Sequence, residues 1–453
     1  MTNAILLDGK DNVATCTAAA SAGETIKILG GGEIVCVEDI PIWHKVALKK
    51  IGAGEKIFKY GEIIGEASEE IAAGGWVSHE NIFSVPRDYE SEMKESFQGS
   101  AFSCQEKLLK AESRKLKAKF WGYKRTEGRA GIRNHVLILP TCACGSETAR
   151  IVASQVRGAV NIIFNTGCSD VQANTDMSQK ILTGFACNPN VYGVVIIGLG
   201  CETVPHAKLR EKIKSQTRKP VVSFGIQEEG GTLKTIEKAV RAARDMAAEA
   251  SLQRKELCDI SELLLGIECG GSDATSGIAS NPAVGALSDK LVDLGASTLM
   301  SESIEWIGGE HVLAKRAATP ELHNKIIKIC ADYEKHLKAA GQDCRAGQPT
   351  PGNKFGGLST IDEKSLGCIR KGGTRPIVEV LNQAERPTKR GAIVMDTAGY
   401  DISSVTSMAA AGCNAIISRR GAALRRATRL SPCSRLRQTR KLFRGWKTIW
   451  TRT

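Results

Sequence analysis

The first 90 residues alternate short apolar runs with glycine-rich turns. The runs recur at intervals of roughly ten residues, which is typical of a small all-β domain. Gly30-Gly31-Gly32 and Gly74-Gly75 mark two of the turns. Polar residues at the turns, such as Lys45, Lys59 and Tyr60, are interpreted as solvated or capping groups. The pattern predicts strands at Asn3–Leu7, Thr25–Leu29, Val46–Leu48, Lys56–Tyr60 and Trp76–Ser78.

A different pattern begins near residue 121. Residues 91–120 are polar and charged and predict a partly helical linker. From 121 to 250, and again from 251 to 418, apolar strands alternate with amphipathic helices, such as the one that begins at Gly231-Thr232. This alternation predicts two α/β domains, each built on a mostly parallel sheet.

One strand–turn–helix unit stands out in the second α/β domain. The apolar run Leu263–Ile267 predicts a buried strand, residues 269–273 form a small-residue turn, and Ser280-Asn281-Pro282 predicts the start of a helix. Backbone N–H groups at such a turn suit a carboxylate or a phosphate. The strand also delivers Glu268 and Cys269 into the turn. For this motif alone, a tight turn with a buried cysteine is the structural alternative.

Four predicted strands end in a turn that carries a cysteine, and two of these cysteines have a glutamate beside them. Because ligands bind at the carboxyl ends of strands in open parallel sheets, we expect these side chains to converge. Thiolates with carboxylates suit a divalent transition metal such as iron better than calcium. The alternative interpretation is four buried cysteines in packed turns. The residues are Cys144, Cys168, Cys201 and Cys269, with Glu202 and Glu268.

Residues 346–374 are rich in glycine and proline and poor in apolar residues, which predicts a long functional loop. The sequence has neither GxxxxGK[ST] nor a GxGxxG after a strand, so it gives no support to nucleotide chemistry. Basic residues in or beside the loop are candidates to clamp a substrate carboxylate. They are Lys354, Lys364, Lys371 and Arg375.

The net charge of +13 would suggest a nucleic-acid partner if it were spread over the protein. However, the stretch from Arg419 to Thr453 holds 10 Arg and 2 Lys and no acidic residue, which leaves 62 − 12 = 50 basic against 49 acidic residues elsewhere. We therefore expect no nucleic-acid partner. No apolar run approaches the roughly 18 residues of a membrane span. No secretory signal is evident and 15 cysteines are spread along the chain, which favours a cytoplasmic protein with reduced thiols and no membrane contact.

Four long motifs of unusual composition lie in the two α/β domains. They are GYKRTEGRAGIRN (122–134), IGLGCE (197–202), ECGGSDATSGIASNP (268–282) and TPGNKFGGLSTIDEKSLGCIRKGGT (350–374). Together they resemble the altronate/galactarate dehydratase family of sugar-acid hydro-lyases, which also includes sulfolactate sulfo-lyase. Residues 11–14, 44–48 and 59–61 are similar to the SAF-type β domain of that family. The resemblance covers nearly the whole chain to Ser418, although many relatives have His where this chain has Glu80.

The resemblance implies an iron-dependent β-elimination of water from an aldonic or aldaric acid, giving a 2-keto-3-deoxy acid. Fe²⁺ is the expected metal and Mn²⁺ the alternative. A metal that holds the substrate carboxylate stabilises the charge left by the departing α-proton, while a base takes that proton and an acid helps the β-hydroxyl to leave. The expected partner is a small sugar acid, and a homodimer is compatible with it. A sulfolactate sulfo-lyase and an inactive sugar-acid-binding remnant stay open as alternatives.

The roles of individual residues are hypotheses that rest on the same resemblance. The catalytic candidates are Lys364, Glu302 and Glu202, with Lys364 or Glu302 as the base and Glu202 or Glu268 as support for the metal. The substrate-binding candidates are Lys354, Lys371, Arg375, Ser272, Asp273 and Asn281. The metal-binding candidates are Cys144, Cys168, Cys201, Cys269 and Glu268.

The arginine-rich tail, residues 419–453, differs from the family pattern, which continues with a TGRGT glycine loop. One added nucleotide before Ser418 would, with permissible codons, turn Ser418–Ala423 into FSTGRG, and the neighbouring frame continues as a family-like C-terminus. We therefore expect a frameshifted tail that impairs activity, and disorder because the tail is highly charged and poor in apolar residues. The alternative is a genuine basic tail that contacts RNA or a membrane.

Overall fold

The N-terminal domain is all-β, as predicted. The computed structural model describes residues 3–95, 118–420 and 434–437 of the chain. Nine short strands form a six-stranded sheet of order β4-β3-β1-β2-β5-β8 and a three-stranded sheet of order β6-β7-β9. Its small core gathers apolar side chains such as Ile26, Ile40 and Val46. Strands β1 to β9 are Ala4–Ile5, Val13–Cys16, Thr25–Leu29, Glu33–Val35, Lys45–Ala47, Lys56–Lys59, Glu62–Ala67, Trp76–Val77 and Ile82–Phe83.

The middle domain is a four-stranded parallel sheet of order β12-β11-β13-β14, with helices against it. The central strand, VYGVVIIG, is almost wholly apolar because helices cover both faces of the sheet. The predicted linker is represented by helix α1, Tyr89–Glu95; most of residues 91–120 lie outside the described residues. The strands β10 to β14 are Lys119–Gly122, His135–Pro140, Ala159–Asn161, Val191–Gly198 and Val221–Gly225. The helices α2 to α5 are Ala143–Ser154, Gln172–Ala186, His206–Lys214 and Thr232–Leu252.

The C-terminal domain holds a six-stranded parallel sheet of order β18-β19-β17-β16-β20-β21. Strand β15 pairs instead with β10 in an antiparallel ribbon that joins the two α/β domains. The strands β15 to β21 are Glu256–Asp259, Leu264–Cys269, Ser297–Met300, Ile377–Leu381, Ala392–Met395, Ala415–Arg420 and Ser434–Arg437. The helices α6 to α12 are Asn281–Asp293, Glu310–Ala314, Pro320–Ala339, Cys344–Gly347, Pro351–Phe355, Ile361–Ile369 and Asp401–Ala410. Short 3₁₀ or π turns lie at 260–262, 276–280, 303–305 and 370–372.

Helices α3 and α12 pack against each other and join the two α/β domains. Gly184 permits the close approach, because a Cβ atom at this position would lie 2.5 Å from the carbonyl oxygen of Ala410. Asn188 Nδ2 donates to the carbonyl oxygen of Ala409 at 2.8 Å. The two parallel sheets are therefore held in a fixed arrangement by a helix from each domain.

The prediction of a long loop at residues 346–374 was wrong, because helices α10 and α11 occupy much of this segment. The missed signal is local: Thr360 and Glu363 have the spacing of a helix capping box. The Thr360 side chain accepts a hydrogen bond from the backbone N–H of Glu363 at 3.1 Å. Glu363 Oε2 in turn accepts from the backbone N–H of Ser359 at 2.8 Å, which holds the segment that enters α11.

Replacing Thr360 with alanine is expected to lower the free energy of unfolding by about 2 kcal/mol. The loss combines the helix cap, worth roughly 0.5–2 kcal/mol, with the Thr360 hydroxyl hydrogen bond to the Ile64 carbonyl, which is 2.5 Å long. Urea unfolding measures the change. Thr360→Ser keeps the hydroxyl and should recover most of the stability; an alanine variant as stable as the parent would contradict this account.

Most of the basic tail lies outside the described residues. The exceptions are Arg419 and Arg420 at the end of β20, and strand β21, which pairs in parallel with β20 from Ile417↔Ser434 onward. The predicted disorder therefore stays a prediction for the rest of residues 419–453. In the described part of the chain, each helix is too short or too polar to cross a bilayer.

Candidate active site

Two acidic residues meet at the carboxyl ends of neighbouring strands in the C-terminal sheet. Glu268 and Cys269 end strand β16, and Glu302 follows β17. The backbone N–H of Cys269 donates to Glu302 Oε2 at 2.9 Å. Glu302 has a left-handed backbone with φ of 73°, which is unusual for a residue other than glycine, Asn or Asp. Strain of this kind is frequent at functional sites, so Glu302 is held in place by its surroundings.

A group of three carboxylates, which we call the carboxylate triad, lies at this edge. It consists of Glu268, Glu302 and Asp401, with one oxygen of each within 4.8 Å of the others. Glu268 Oε2 accepts a hydrogen bond from Ser404 Oγ at 2.5 Å. Glu268 Oε1 is buried and has no hydrogen-bond partner. Because Asp401 is exposed while the two glutamates are buried, the triad opens toward solvent on one side.

Burial raises the pKa values of both buried glutamates of the triad. Burial first, and then the neighbouring Glu302 carboxylate, raise the pKa of Glu268 to about 10. Burial first, and then Glu305, raise the pKa of Glu302 to about 8. Ionising both carboxylates in this buried site is unfavourable, because the two negative charges repel each other. A bound cation would offset that repulsion, so the pair favours cation binding.

Lys371 supplies one positive charge at the centre of this group. Its Nζ donates to Glu302 Oε2 at 3.0 Å and to Glu305 Oε2 at 2.5 Å. Burial would lower the pKa of Lys371, but Glu305 and Glu302 raise it well above the usual value. The side chain is therefore an ammonium ion that joins the triad to a second set of ligand-type side chains.

That second set contains two thiols and a carboxylate, and we call it the sulfur group. Cys269, Glu305 and Cys368 are all buried, with one ligand atom of each within 4.8 Å of the others. Ser272 Oγ lies 3.4 Å from the Sγ atoms of both Cys269 and Cys368. The sulfur group thus lies directly behind the glycine-rich turn that follows β16.

A narrow cleft with no room for a water molecule lies beside Cys368 of the sulfur group. It is lined by Tyr60 on one side and by residues of the C-terminal domain on the other. Tyr60 OH and Asn281 Oδ1 are buried and have no hydrogen-bond partner. The other lining side chains include Ser272, Asp273, Lys364 and Cys368.

The N-terminal domain is fixed over this cleft by a buried charge network. Glu363 on α11 accepts from Lys45 Nζ at 2.9 Å and from Lys59 Nζ at 2.6 Å, and all three side chains are almost fully buried. The interpretation of these lysines as solvated or capping groups was therefore wrong. Each pairs with an acid more than 300 positions away, which no local pattern reveals.

Comparison with known proteins identifies the relationship. Family models match residues 2–85 (altronate/galactarate dehydratase SAF domain), 122–251 (D-galactarate dehydratase/altronate hydrolase, second domain) and 260–449 (D-galactarate/altronate dehydratase, C-terminal). An altronate dehydratase of Bacillus subtilis (strain 168) is 31% identical over 428 residues, which is 92% of this chain and 83% of that protein. The chain belongs to the altronate/galactarate dehydratase family.

Two further relatives of this dehydratase-family chain carry different names. The subunit beta of a (2R)-sulfolactate sulfo-lyase from Chromohalobacter salexigens is 39% identical over 295 residues, 65% of this chain and 75% of that protein. A galactarate dehydratase (L-threo-forming) of Escherichia coli (strain K12) is 32% identical and covers 83% of this chain and 74% of that protein. The C-terminal match runs past Ser418 to residue 449, so the comparison does not separate the tail from the family domain.

The structure of this chain brings many of the predicted site residues together. Glu268 and Glu302 belong to the carboxylate triad, Cys269 belongs to the sulfur group, and Lys371 joins the two sets. The predicted substrate-binding residues Ser272, Asp273 and Asn281 line the cleft with Lys364, a predicted base. Asp273 also caps the turn at its own helix start, since its Oδ1 accepts from the Ser276 backbone N–H at 3.0 Å.

The other predicted ligands lie elsewhere. Cys144, Cys168 and Cys201 follow strands of the middle sheet, whereas Cys269 ends a strand of the C-terminal sheet. None of the three belongs to the carboxylate triad or the sulfur group. The three are also exposed, which excludes the alternative of four buried cysteines. The strand pattern shows where each strand ends but not to which sheet it belongs, and the role of these cysteines as metal ligands stays a prediction.

Glu202, a predicted catalytic residue, forms hydrogen bonds to the turn that carries it and to Thr141. Its Oε2 accepts from the backbone N–H groups of Leu199 at 3.0 Å and Gly200 at 2.6 Å, and its Oε1 accepts from the Thr141 hydroxyl at 3.2 Å. Burial raises its pKa, but these backbone hydrogen bonds outweigh burial and lower the net value. Glu202 therefore stays ionised and holds the turn after β13.

Arg375 and Lys354 do not line the cleft that holds the other predicted substrate ligands. Arg375 Nε and Nη2 both bond the Asp293 carboxylate at 2.6 Å, which is a bidentate pair at the surface of α6. Lys354 is half-buried on α10. The structure therefore gives no support to a substrate clamp at these two residues, and that role stays a prediction.

Arg375→Gln is expected to leave KM unchanged within about twofold and to cost at most about 1 kcal/mol of stability, as for other partly exposed ion pairs. Steady-state kinetics and thermal unfolding on the same preparation measure both effects. Asp293→Asn, which removes the other partner, should give the same small loss. A large rise in KM in Arg375→Gln alone would restore Arg375 as a substrate ligand.

Four side chains at the site were missed from the sequence: Tyr60, Glu305, Cys368 and Asp401. Glu305 could have been found, because Glu302 and Glu305 are three residues apart after a strand and face the same side of a turn. Cys368 lies on α11, inside the segment that was predicted as a loop. The position of Tyr60 depends on how the N-terminal domain packs, which the sequence pattern does not contain.

Proposed function

We propose that this chain is a hydro-lyase that removes water from a sugar acid of the altronate or galactarate type and yields a 2-keto-3-deoxy acid, with a divalent cation. The observation that carries the proposal is the carboxylate triad. It presents an unpaired buried oxygen of Glu268 at the carboxyl edge of the sheet. Membership of a family whose relatives are named altronate and galactarate dehydratases supports the reaction class.

The residues present fit such a cation. Glu268, Glu302 and Asp401 would hold it, and their oxygen atoms suit Fe²⁺ or Mn²⁺. When bound, the cation would hold the substrate carboxylate and stabilise the negative charge that develops as the α-proton leaves.

The side chains of the cleft would position the acid and move its protons. Tyr60 OH and Asn281 Oδ1, both unpaired, would bond substrate hydroxyl groups. Lys364 lies on the same cleft, with its Nζ 2.9 Å from Gln348 Oε1, and would transfer the proton. The N-terminal domain covers the cleft and would exclude water, which strengthens each of these interactions.

One experiment tests this proposal directly. The full chain, purified without oxygen and supplied with Fe²⁺ or Mn²⁺, is assayed for release of a 2-keto acid from altronate and galactarate. Metal-dependent release is expected. Lys364→Met should keep the metal and lose turnover, whereas Lys354→Met, which changes a lysine outside the cleft, should keep both. No release from either acid by the metal-loaded chain would contradict the proposal.

A second candidate function is elimination of sulfite from sulfolactate. The observation in its favour is the 39% identity to a sulfo-lyase subunit, which exceeds the identity to the dehydratases over a shorter stretch. Adding sulfolactate to the assay above, with sulfite as the readout, separates the two functions.

The origin of the tail is a separate proposal. A frameshift near Ser418 would replace the family's glycine loop and impair activity, and the coding DNA decides the matter. A version with the restored frame should bind the same metal and turn over faster. Equal turnover by the two versions would argue against impairment by the tail.

A further inference from the structure

Three exposed thiols stand apart from the other cysteines of the molecule. Ten of the 13 cysteines in the described residues are buried. The exposed ones are Cys144, Cys168 and Cys201. Because free cysteine is among the most buried residue types, three exposed thiols in one domain need a chemical explanation.

These thiols follow three adjacent strands of one sheet. Cys144 comes after β11, Cys168 after β12 and Cys201 after β13, and these strands are neighbours in the order β12-β11-β13. All pairs in this sheet are parallel, so the three turns lie at the same carboxyl edge. Carboxyl edges of open parallel sheets are where ligands bind.

Backbone hydrogen bonds tie the three turns together. The Ala143 N–H donates to the Thr166 carbonyl at 2.8 Å, and the Thr203 N–H donates to the Gly167 carbonyl at 2.8 Å. Gly167, with φ of 112°, lets its turn approach the first one closely, because a Cβ atom there would lie 2.7 Å from the Cα of Cys142. The turns are therefore held at fixed separations before any ligand binds.

One of the three thiols lies at a helix N-terminus. Cys144 lies in the first turn of α2, a 12-residue helix whose N-terminus stabilises negative charge. Three thiolates that repel one another are stabilised together by a shared cationic centre.

The spacing argues against a single ion. Two sulfurs on one ion lie at most about 4.6 Å apart, twice a metal–sulfur bond of roughly 2.3 Å. Among the described residues, the sets whose ligand atoms all lie within 4.8 Å of one another are the carboxylate triad and the sulfur group. Cys144, Cys168 and Cys201 do not form such a set, which suits thiolates that each bind a different iron of a cluster.

We propose that Cys144, Cys168 and Cys201 bind a [4Fe–4S] cluster at the carboxyl edge of the middle sheet. Three protein thiolates leave one iron open to an oxygen ligand, such as a hydroxyl or carboxylate of a small molecule. Glu202 acts as a positioning residue, because its bonds to the Leu199 and Gly200 backbone hold the turn that carries Cys201. The site is separate from the carboxylate triad and does not depend on the proposed reaction.

The test measures iron and acid-labile sulfide in the full chain after anaerobic reconstitution with ferrous iron and sulfide. About four irons and four sulfides per chain are expected in the [4Fe–4S] form, with a broad visible absorption that dithionite bleaches. Cys168→Ser should lose most of the sulfide and the visible absorption. Cys187→Ser, which changes a buried cysteine at the end of α3, should keep both.

Two results would overturn the proposed cluster. Reconstituted chain with iron but no sulfide would overturn the cluster, and so would Cys168→Ser with unchanged sulfide and absorption. Far-UV circular dichroism shows that each variant is folded. Glu268→Gln should keep the sulfide, so failure at the carboxylate triad and failure at the thiols can be told apart.

Discussion

Glu268→Gln is expected to remove the proposed divalent cation and to lower kcat by about 100-fold or more. Glutamine has nearly the same size and can still accept the hydrogen bond from Ser404, so the change is confined to charge at Oε1, the unpaired oxygen. Changes to residues that only support a metal ligand already cost roughly 10–100-fold in metal affinity or activity. Metal content of the Fe²⁺- or Mn²⁺-loaded chain and kcat on the best substrate measure the two effects.

The control for this prediction is Glu237→Gln, which removes a carboxylate from an exposed ion pair with Arg241 on α5. It should leave metal content and kcat unchanged. If Glu268→Gln keeps full metal and full turnover, the carboxylate triad is not the cation site, and the sulfur group becomes the next candidate.

Glu363→Gln is expected to lower the free energy of unfolding by about 3–5 kcal/mol. Removing one partner of a buried ion pair leaves uncompensated charge, and here two ammonium groups, Lys45 and Lys59, lose their common acid. Because both lysines belong to the N-terminal domain, that domain should also separate more readily from the C-terminal domain. Urea unfolding measures the first effect, and protease cleavage in the linker measures the second.

The pH dependence gives a second check on Glu363. Burial is the largest single influence and raises its pKa, but the charges of Lys45 and Lys59 and the hydrogen bonds from Lys59 and Ser359 together outweigh it, so the net pKa lies well below the usual value. A depressed folded-state pKa contributes stability that is present above the unfolded-state value of about 4.3 and is lost as the pH falls below it. Glu363→Gln should therefore show a weaker loss of stability between about pH 5 and pH 2.

An exposed pair provides the matched control. Glu70→Gln breaks the surface contact with Lys50 and should change stability by no more than about 0.5 kcal/mol. A loss as small in Glu363→Gln would mean that the buried network contributes little, and that the N-terminal domain is held mainly by apolar contacts.

Local sequence signals predicted the elements of this fold well. The Gly231-Thr232 start of α5, the Ser280-Asn281-Pro282 start of α6 and the strand at Thr25–Leu29 all depend on neighbouring residues, and the structure has them where they were expected. Strands covered by helices on both faces are apolar throughout, which is why the two parallel sheets could be predicted. The helices in 346–374 were missed because composition was weighed above the Thr360–Glu363 capping pattern.

Only part of the candidate site could be predicted from the sequence, because the other part depends on how the domains pack. Glu268, Cys269 and Glu302 follow strands and could be expected at one edge. The contributions of Tyr60 and of the Lys45 and Lys59 network depend on packing between domains that are far apart in sequence. The separation of the cysteines into two sheets likewise depends on tertiary arrangement, which strand periodicity does not contain.

The distance in sequence between Lys45 and Glu363 has a consequence for biosynthesis. The pair spans 318 positions, so at 5–20 residues per second the ribosome needs about 15–60 seconds to add the acid after the lysine. During that interval the N-terminal domain has to stay folded with both lysines hydrated. Its docking is therefore a late assembly step, and nascent chains that stop before α11 would carry a formed but unattached first domain.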